Sequence, residues 1–340
     1  MSIRIMSTTF SRYVAYCLFT VFLSSQLIAN NQDSLGLIKS VSNEPTTIFD
    51  LLKRQRIQKI TIRTDVAQIT AESSKFVTDG FPASLIYLDG EGNIVETSIE
   101  LTLRGKSRRL YCDFPPLKIK FSKEQLSQRG IRPKHKSLKL VTHCDEGLVG
   151  SRNVLKEYLA YRIYNQITDS SLEVQLLEVK YQDTQTGAEL NNYAILLEDI
   201  DESAERINGA EVEAFGKKWS GFEPVSAQTM AVFQYLIGNH DWDIRFNRNV
   251  KFVQQDGLDK LIPVPYDFDG SGFVSAAYAK PNPNFRLESL KQRLFLGKFN
   301  NKKERATVID HFLDKEKAIH QLIEDFDLLD EVRTHHPCKF

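Results

Sequence analysis

The chain has 340 residues, 41% of them hydrophobic and 10% aromatic, enough to bury a sizeable core in one large domain or two lobes. Its 44 basic residues are balanced by 44 acidic ones, so no global charge draws it to nucleic acid. There is no internal repeat and no low-complexity tract.

Residues 1–29 carry Arg4 and Arg12, an apolar run from Tyr13 to Leu23, then Ser24, Ser25 and Ala29. This is the order of a secretory signal peptide, with cleavage expected after Ala29. The apolar run is shorter than the roughly 20 residues of a spanning helix, so a membrane is met only through an uncleaved signal segment. Export to the periplasm or the exterior is the expectation. In an oxidising compartment two of Cys112, Cys144 and Cys338 would pair. Cys112 and Cys144 flank the same basic, strand-rich segment and are the expected partners. Residues 30–45 are polar without a period and read as a linker.

Ile48 to Gln58 has a helical pattern. Strand patterns follow at Lys59 to Arg63, Ala83 to Leu88 and Val95 to Leu103, with Asp89-Gly90-Glu91-Gly92 as the turn between the last two. Between residues 101 and 140 there are twelve Lys or Arg against two acids, Asp113 and Glu124. A solvated basic face is one reading. The other is a phosphate site, because Arg104, Lys106, Arg108 and Arg109 crowd a turn after a strand, where amides and cations could hold a nucleotide's phosphates. Lys118 and Lys120 lie two apart on the next strand and so share a face.

Ser151 is the expected N-cap of a helix over Arg152 to Ile167, striped by Leu155, Leu159, Ile163 and Ile167. Glu157 falls off the stripe. Val174 to Tyr181 and Tyr193 to Leu197 read as a hairpin, which runs into the acidic connector Glu198-Asp199-Ile200-Asp201-Glu202. Further helices are expected before Gly238, at Arg286 to Leu296 and at Ala306 to Phe326. Strands first and helices later give an α+β chain of two segregated lobes, a β-rich one over residues 46–198 and a mainly helical one over 199–340.

The most telling stretch is Met230 to Gly272. A helix stopped by Gly238 leads into a loop with Asp241, Asp243, Asn247 and Asn249. A hairpin turning at Asp256-Gly257 then returns the chain to Asp267-Phe268-Asp269, with Pro263 suited to an edge strand. A hairpin brings its two ends together, so carboxylates and carboxamides from both loops converge. Mg²⁺ typically takes one or two carboxylates plus nucleotide phosphate oxygens.

The order of these parts resembles the protein-kinase catalytic region. The wording is more similar to the CotH-type atypical kinase family of spore-coat and secreted bacterial proteins. The likeness rests on Leu103-Arg104-Gly105-Lys106-Ser107, on Pro116-Leu117-Lys118-Ile119-Lys120, on Asn192-Tyr193-Ala194-Ile195-Leu196-Leu197-Glu198-Asp199, and on the Asp-rich turn ending a strand. It spans about Leu101 to Gly272. The resemblance implies a two-lobed protein-kinase-like fold, with a β-rich N-lobe and a mainly helical C-lobe.

It also implies a phosphotransferase that uses ATP with Mg²⁺ or Mn²⁺ and phosphorylates a protein hydroxyl in the cell envelope. Asp241 or Asp243 would be the catalytic acid/base. Asn247, Asn249, Asp267 and Asp269 would hold the metal. Arg104, Lys106, Lys118 and Lys120 would grip phosphates. Glu157 would be the helix acid paired with the gripping lysine, and Glu198 would begin the hinge. Departures from the kinase pattern are the lack of His-Arg-Asp before the loop and Asp-Phe-Asp in place of Asp-Phe-Gly. The alternatives are a catalytically inactive relative or a metal-stabilised envelope scaffold. An acid/base hydrolase is weaker, because the sequence places no aromatic sugar platform near Asp241 and Asp267.

Overall fold

A computed structural model describes residues 46–54, 56–75, 79–105 and 107–330. The signal segment, the linker, Lys106 and Cys338 lie outside the described residues.

The N-terminal helix α1 is short, Ile48–Leu52. Thr47 caps it, its hydroxyl accepting from the Asp50 amide at 3.1 Å. The expected continuation to Gln58 does not form, because the Arg54 amide donates instead to Gln175 Oε1 at 2.7 Å and the chain enters a strand at Ile57.

The first part of the chain then runs β1 Ile57–Thr64, α2 Val66–Glu72, β2 Phe81–Leu88, β3 Ile94–Leu103, α3 Arg108–Tyr111, β4 Leu117–Phe121, α4 Lys123–Gln128 and β5 Ser137–Val141. The long helix α5, Gly147–Ile167, is followed by the hairpin β6 Val174–Asp183 and β7 Glu189–Leu197. Seven strands close into a barrel in the order β1-β2-β3-β4-β5-β7-β6. The seam is a parallel pairing of β1 with β6, from Ile57 opposite Leu176 to Thr64 opposite Asp183, whereas the other neighbours are antiparallel.

Alternation decides what fills the barrel. Ile62, Leu85, Leu101, Leu117, Ile119, Leu138 and Leu177 point inward and have no exposed surface. Strands β6 and β7 are buried on both faces. Leu177, Val179, Ala194 and Leu196 fill the barrel, and Leu176, Ile195 and Leu197 pack under α5. Helix α5 is in turn covered by Phe233, Ile237 and Phe268 and by the C-terminal helix, so its apolar side chains are buried on more than one face.

After the barrel come α6 Ile200–Arg206, β8 Gly209–Glu211, α7 Pro224–Leu236, β9 Val250–Gln255, β10 Ile262–Pro265 and α8 Lys302–Glu324. The last three strands form a sheet in the order β10-β9-β8, so Pro263 sits on an edge strand. From Ser271 to Asn301 the chain is irregular, including the expected helix at Arg286 to Leu296. Leu287, Leu290 and Leu294 stay only half-buried there. The segment is held by backbone against the end of α7, where a Cβ on Gly272 would stand 2.2 Å from the Leu290 carbonyl oxygen.

The two-lobed protein-kinase-like arrangement is therefore overturned. The strands do not form an open sheet over a mainly helical second half. They close on themselves in a mixed seven-stranded barrel, and the second half carries its own three-stranded sheet. The reason lies in the seam: period-two patterning marks β1 and β6 as strands but carries nothing about their pairing with each other across more than a hundred residues.

Candidate functional site

Helix α7 ends as its sequence predicts, with Gly238 left-handed at φ +64°. Asn239 is then tied back to the helix through Gln234, and its Oδ1 accepts from the Asp241 amide at 3.0 Å. Asn249 donates to the Asp241 backbone oxygen at 2.6 Å and to its carboxylate at 3.2 Å. The Tyr266 amide donates to the Asn249 carbonyl at 3.0 Å, so the hairpin delivers Asp267 beside the loop that opened it. Phe268 drives the turn into the core, its ring centroid 4.5 Å from that of Tyr161 and 5.3 Å, edge to face, from that of Phe233. Asp267 adopts φ +65°, a costly backbone for a non-glycine residue, with its amide donating to the Tyr161 hydroxyl at 2.8 Å.

The facing wall is the turn between β3 and β4. Gly105 is left-handed at φ +74°, and the Arg104 amide donates to the Pro116 carbonyl at 3.0 Å. Arg108 reaches under the turn, donating to the Thr142 carbonyl at 2.6 Å with its other terminal nitrogen 3.9 Å from Asp269. The Cys112–Cys144 disulfide staples this segment to the chain entering α5, pairing the two cysteines that the sequence favoured. Between the walls lies a cavity of about 230 Å³, lined by Arg104, Gly105, Arg108, Asp241, Asn249, Asp267 and Asp269 among others.

The cavity floor concentrates charge. Glu157, on the buried face of α5, has an Oε1 with no hydrogen-bond partner. Burial, reinforced by Asp269 and Asp267, holds its carboxyl well above the usual range. Asp267 touches the cavity but is ringed by protein. Burial, followed by repulsion from Asp269, pushes it up to about 7. For Arg108, burial favours loss of the proton, but the surrounding Tyr278, Asp269, Glu157 and Asp267 outweigh it and raise its pKa. The Tyr278 hydroxyl donates to Asp269 Oδ2 at 2.9 Å.

Of the residues singled out from sequence, Arg104, Arg108, Asp241, Asn249, Asp267 and Asp269 line this cavity, and Glu157 lies behind it. Five other described candidates do not line it. Asp243 accepts from the Arg245 and Phe246 amides at 2.8 and 3.1 Å, as a turn residue does. Asn247 donates to Glu213 at 3.0 Å. Lys120 pairs with Glu100 at 2.6 Å on the barrel exterior, and Lys118 stands between Thr102 and Lys139 on that same outer face. Glu157 has Arg108 and Arg104, not a strand lysine, as its nearby cations. Glu198 is engaged by Arg206 at 3.0 Å and by the Glu173 amide at 2.8 Å, so its side chain is committed to the connector.

Sequence reasoning missed three contributors. Lys139 lies 5.8 Å over the Tyr266 ring, its pKa lowered by burial and then by Arg104. Tyr278 and Tyr161 hold Asp269 and the Asp267 backbone. Lys139 alone left a signal, as a lysine alternating with apolar residues in Ser137-Leu138-Lys139-Leu140-Val141. Tyr278 stands in an aperiodic stretch and Tyr161 reads as core.

Among the described residues no three His, Cys, Asp or Glu side chains stand close enough together to hold a metal ion alone, and no helix is long and apolar enough to cross a membrane. No protein-family model matches this chain, and no curated protein does.

Proposed function

We propose that this chain is a metal-assisted phosphotransferase that takes the γ-phosphoryl of a nucleoside triphosphate and passes it to a hydroxyl acceptor. The observation that carries the reading is a cavity with the carboxylates of Asp267 and Asp269 on one wall, the buried and unpartnered Glu157 behind them, and a glycine turn with Arg104 and Arg108 on the other wall. A buried acid with an unpartnered oxygen is costly in the ligand-free protein. Such a cost is expected where a cation is to be received.

Asp267, Asp269 and Asn249 fit a divalent cation. Mg²⁺ needs only one or two protein carboxylates when phosphate oxygens complete its shell. The cation would offset charge building on the transferred phosphoryl group. The guanidinium groups of Arg104 and Arg108 hold the phosphates. Asn249 orients Asp241, which is exposed at the cavity mouth and receives the acceptor's proton. The disulfide agrees with the exported location that residues 1–29 imply.

Thermal unfolding with Mg²⁺ or Mn²⁺ and ATP tests this reading. A ligand at about 100 times its dissociation constant adds roughly 2.7 kcal/mol, a shift of a few degrees. The expected result is a metal-dependent shift that Asp267→Ala abolishes. Equal melting of both proteins with and without nucleotide would make the carboxylates part of a scaffold.

A further inference from the structure

The phosphate cavity does not stand alone. A second one, of about 410 Å³, shares Tyr111, Asp241 and Asp269 with it and is walled by Arg248 and the irregular segment from Tyr278 to Asn284. The two cavities meet at the residues that would flank the transferred phosphoryl group. Transfer requires attacking and leaving oxygens roughly in line, so a nucleotide held by Arg104 and Gly105 leaves the second cavity to the acceptor.

The chemistry of its walls is specific. Tyr111 is half exposed, 49%, and its ring lies 5.3 Å from that of Tyr278 at 37°. Tyr278 is fixed by Asp269, so the pair forms an ordered aromatic face. Pro281 and Pro283 line the same cavity and have no N–H to give. Between them Asn282 is held, its amide group donating to the His240 carbonyl at 3.4 Å and its oxygen accepting from the Asn284 N–H at 3.0 Å. A peptide could not add to this wall as a strand, since strand addition depends on free backbone donors. What the walls offer is an aromatic face, the exposed Asn284 carboxamide, Lys280, and Arg248, whose guanidinium lies 3.8 Å from the Asp241 carboxylate. A sugar ring matches that set: its C–H edges meet the negative face of an aromatic ring, and its hydroxyls pair with amide, guanidinium and carboxylate.

We propose that this second cavity is a saccharide site, with a pyranose laid on Tyr111 and one of its hydroxyls presented to Asp241 as the phosphoryl acceptor. The acceptor role rests on the phosphotransferase reading; the sugar site stands on the walls alone. In the transfer, a lone pair on the sugar hydroxyl oxygen forms the new bond to the γ-phosphorus of the nucleoside triphosphate. The bond from that phosphorus to the bridging oxygen breaks, and its electron pair leaves on the nucleoside diphosphate. The hydroxyl proton passes to the Asp241 carboxylate and on to water.

Two measurements on the mature chain keep the claims apart. The first is saturation-transfer NMR without nucleotide, using methyl glycosides of glucose, galactose, xylose, N-acetylglucosamine and glucuronate. The second is transfer of labelled γ-phosphate from ATP to the same glycosides and to a Ser/Thr/Tyr peptide library. The expected result is a signal from at least one glycoside, weakened at least tenfold by Tyr111→Ala and also by Asn284→Ala, with label transferred to that glycoside. A glycoside signal indifferent to both substitutions overturns the site, as does ATP binding with no glycoside signal; label passing to peptides alone overturns the acceptor role. A Tyr111-dependent glycoside signal without any ATP shift overturns the acceptor role together with the phosphotransferase reading and leaves a saccharide-binding cavity.

Discussion

The barrel interior and the cleft beside it share walls but obey opposite rules. Inside the barrel the middle of each strand presents apolar side chains, with buried polar ones such as Gln58, Thr64 and Thr97 towards the strand ends, and the buried His143 is kept neutral. It stacks on Phe114 at 5.0 Å with both ring nitrogens unpartnered, and burial pulls it down to about 4. In the cleft, carboxylates stay close together with too few cations, and burial pushes them up. One region stores stability and the other gives it up, as expected where function and folding make opposite demands on the same chain.

The largest effect should come from breaking the barrel. Leu101→Ala removes a fully buried side chain between β2 and β4 and should lower stability by about 2–5 kcal/mol in urea unfolding. A loss below about 1 kcal/mol would mean that the barrel collapses around the gap.

Next comes the cleft, with the sign reversed. Asp267 holds its proton in the folded state up to about 7 but, at its ordinary 3.8, loses it earlier in the unfolded chain. The unfolded state therefore binds fewer protons between those values, and the metal-free protein loses stability as pH rises through this window. Asp267→Asn should flatten that loss, leaving the variant about 1–3 kcal/mol more stable than the parent at pH 8 and closely matched to it below pH 4. It should also lose the metal-dependent ATP shift. A variant less stable than the parent at pH 8 would show that Asp267 is well paired without metal.

His143 gives the opposite pH profile. Its folded pKa lies below its ordinary 6.5, so the parent loses stability as pH falls from about 6.5 towards 4. His143→Leu should remove that acid sensitivity, a difference of about 1–2 kcal/mol near pH 4. Parallel stability curves for the two proteins would refute the assignment. The smallest effect belongs to Lys120→Ala, on the barrel exterior: within about 0.5 kcal/mol of the parent, with the ATP shift kept. Loss of that shift would return Lys120 to the phosphate site.

The candidate site was partly legible before the fold was known. The Asp241-to-Asp269 stretch could be read because a short hairpin fixes the proximity of its own ends, and the basic turn at Arg104 stood out by composition. Alternation showed that Lys118 and Lys120 share a face, but not that the face is the exterior of a closed barrel, where Lys120 pairs with Glu100 and Lys118 stands beside Lys139. Asp243 and Asn247 share the loop with Asp241, and only their hydrogen bonds, Asp243's within the loop and Asn247's to the distant Glu213, set them apart from the cavity residues.

By itself the sequence determined what local periodicity and turn chemistry can fix: most of the strands, the end of α7 at Gly238, the β9–β10 hairpin with its edge proline, and the cysteines fit to pair. Tertiary structure alone decided the barrel closure of β1 on β6, the burial of Glu157, the reach of Arg108 and the ring of Tyr278 over Asp269. Each of these depends on groups brought together from distant parts of the chain, as Tyr161 and Asp267 are across 106 residues. Such encounters are chosen by the burial of the whole apolar surface, which leaves no mark in any one stretch of sequence.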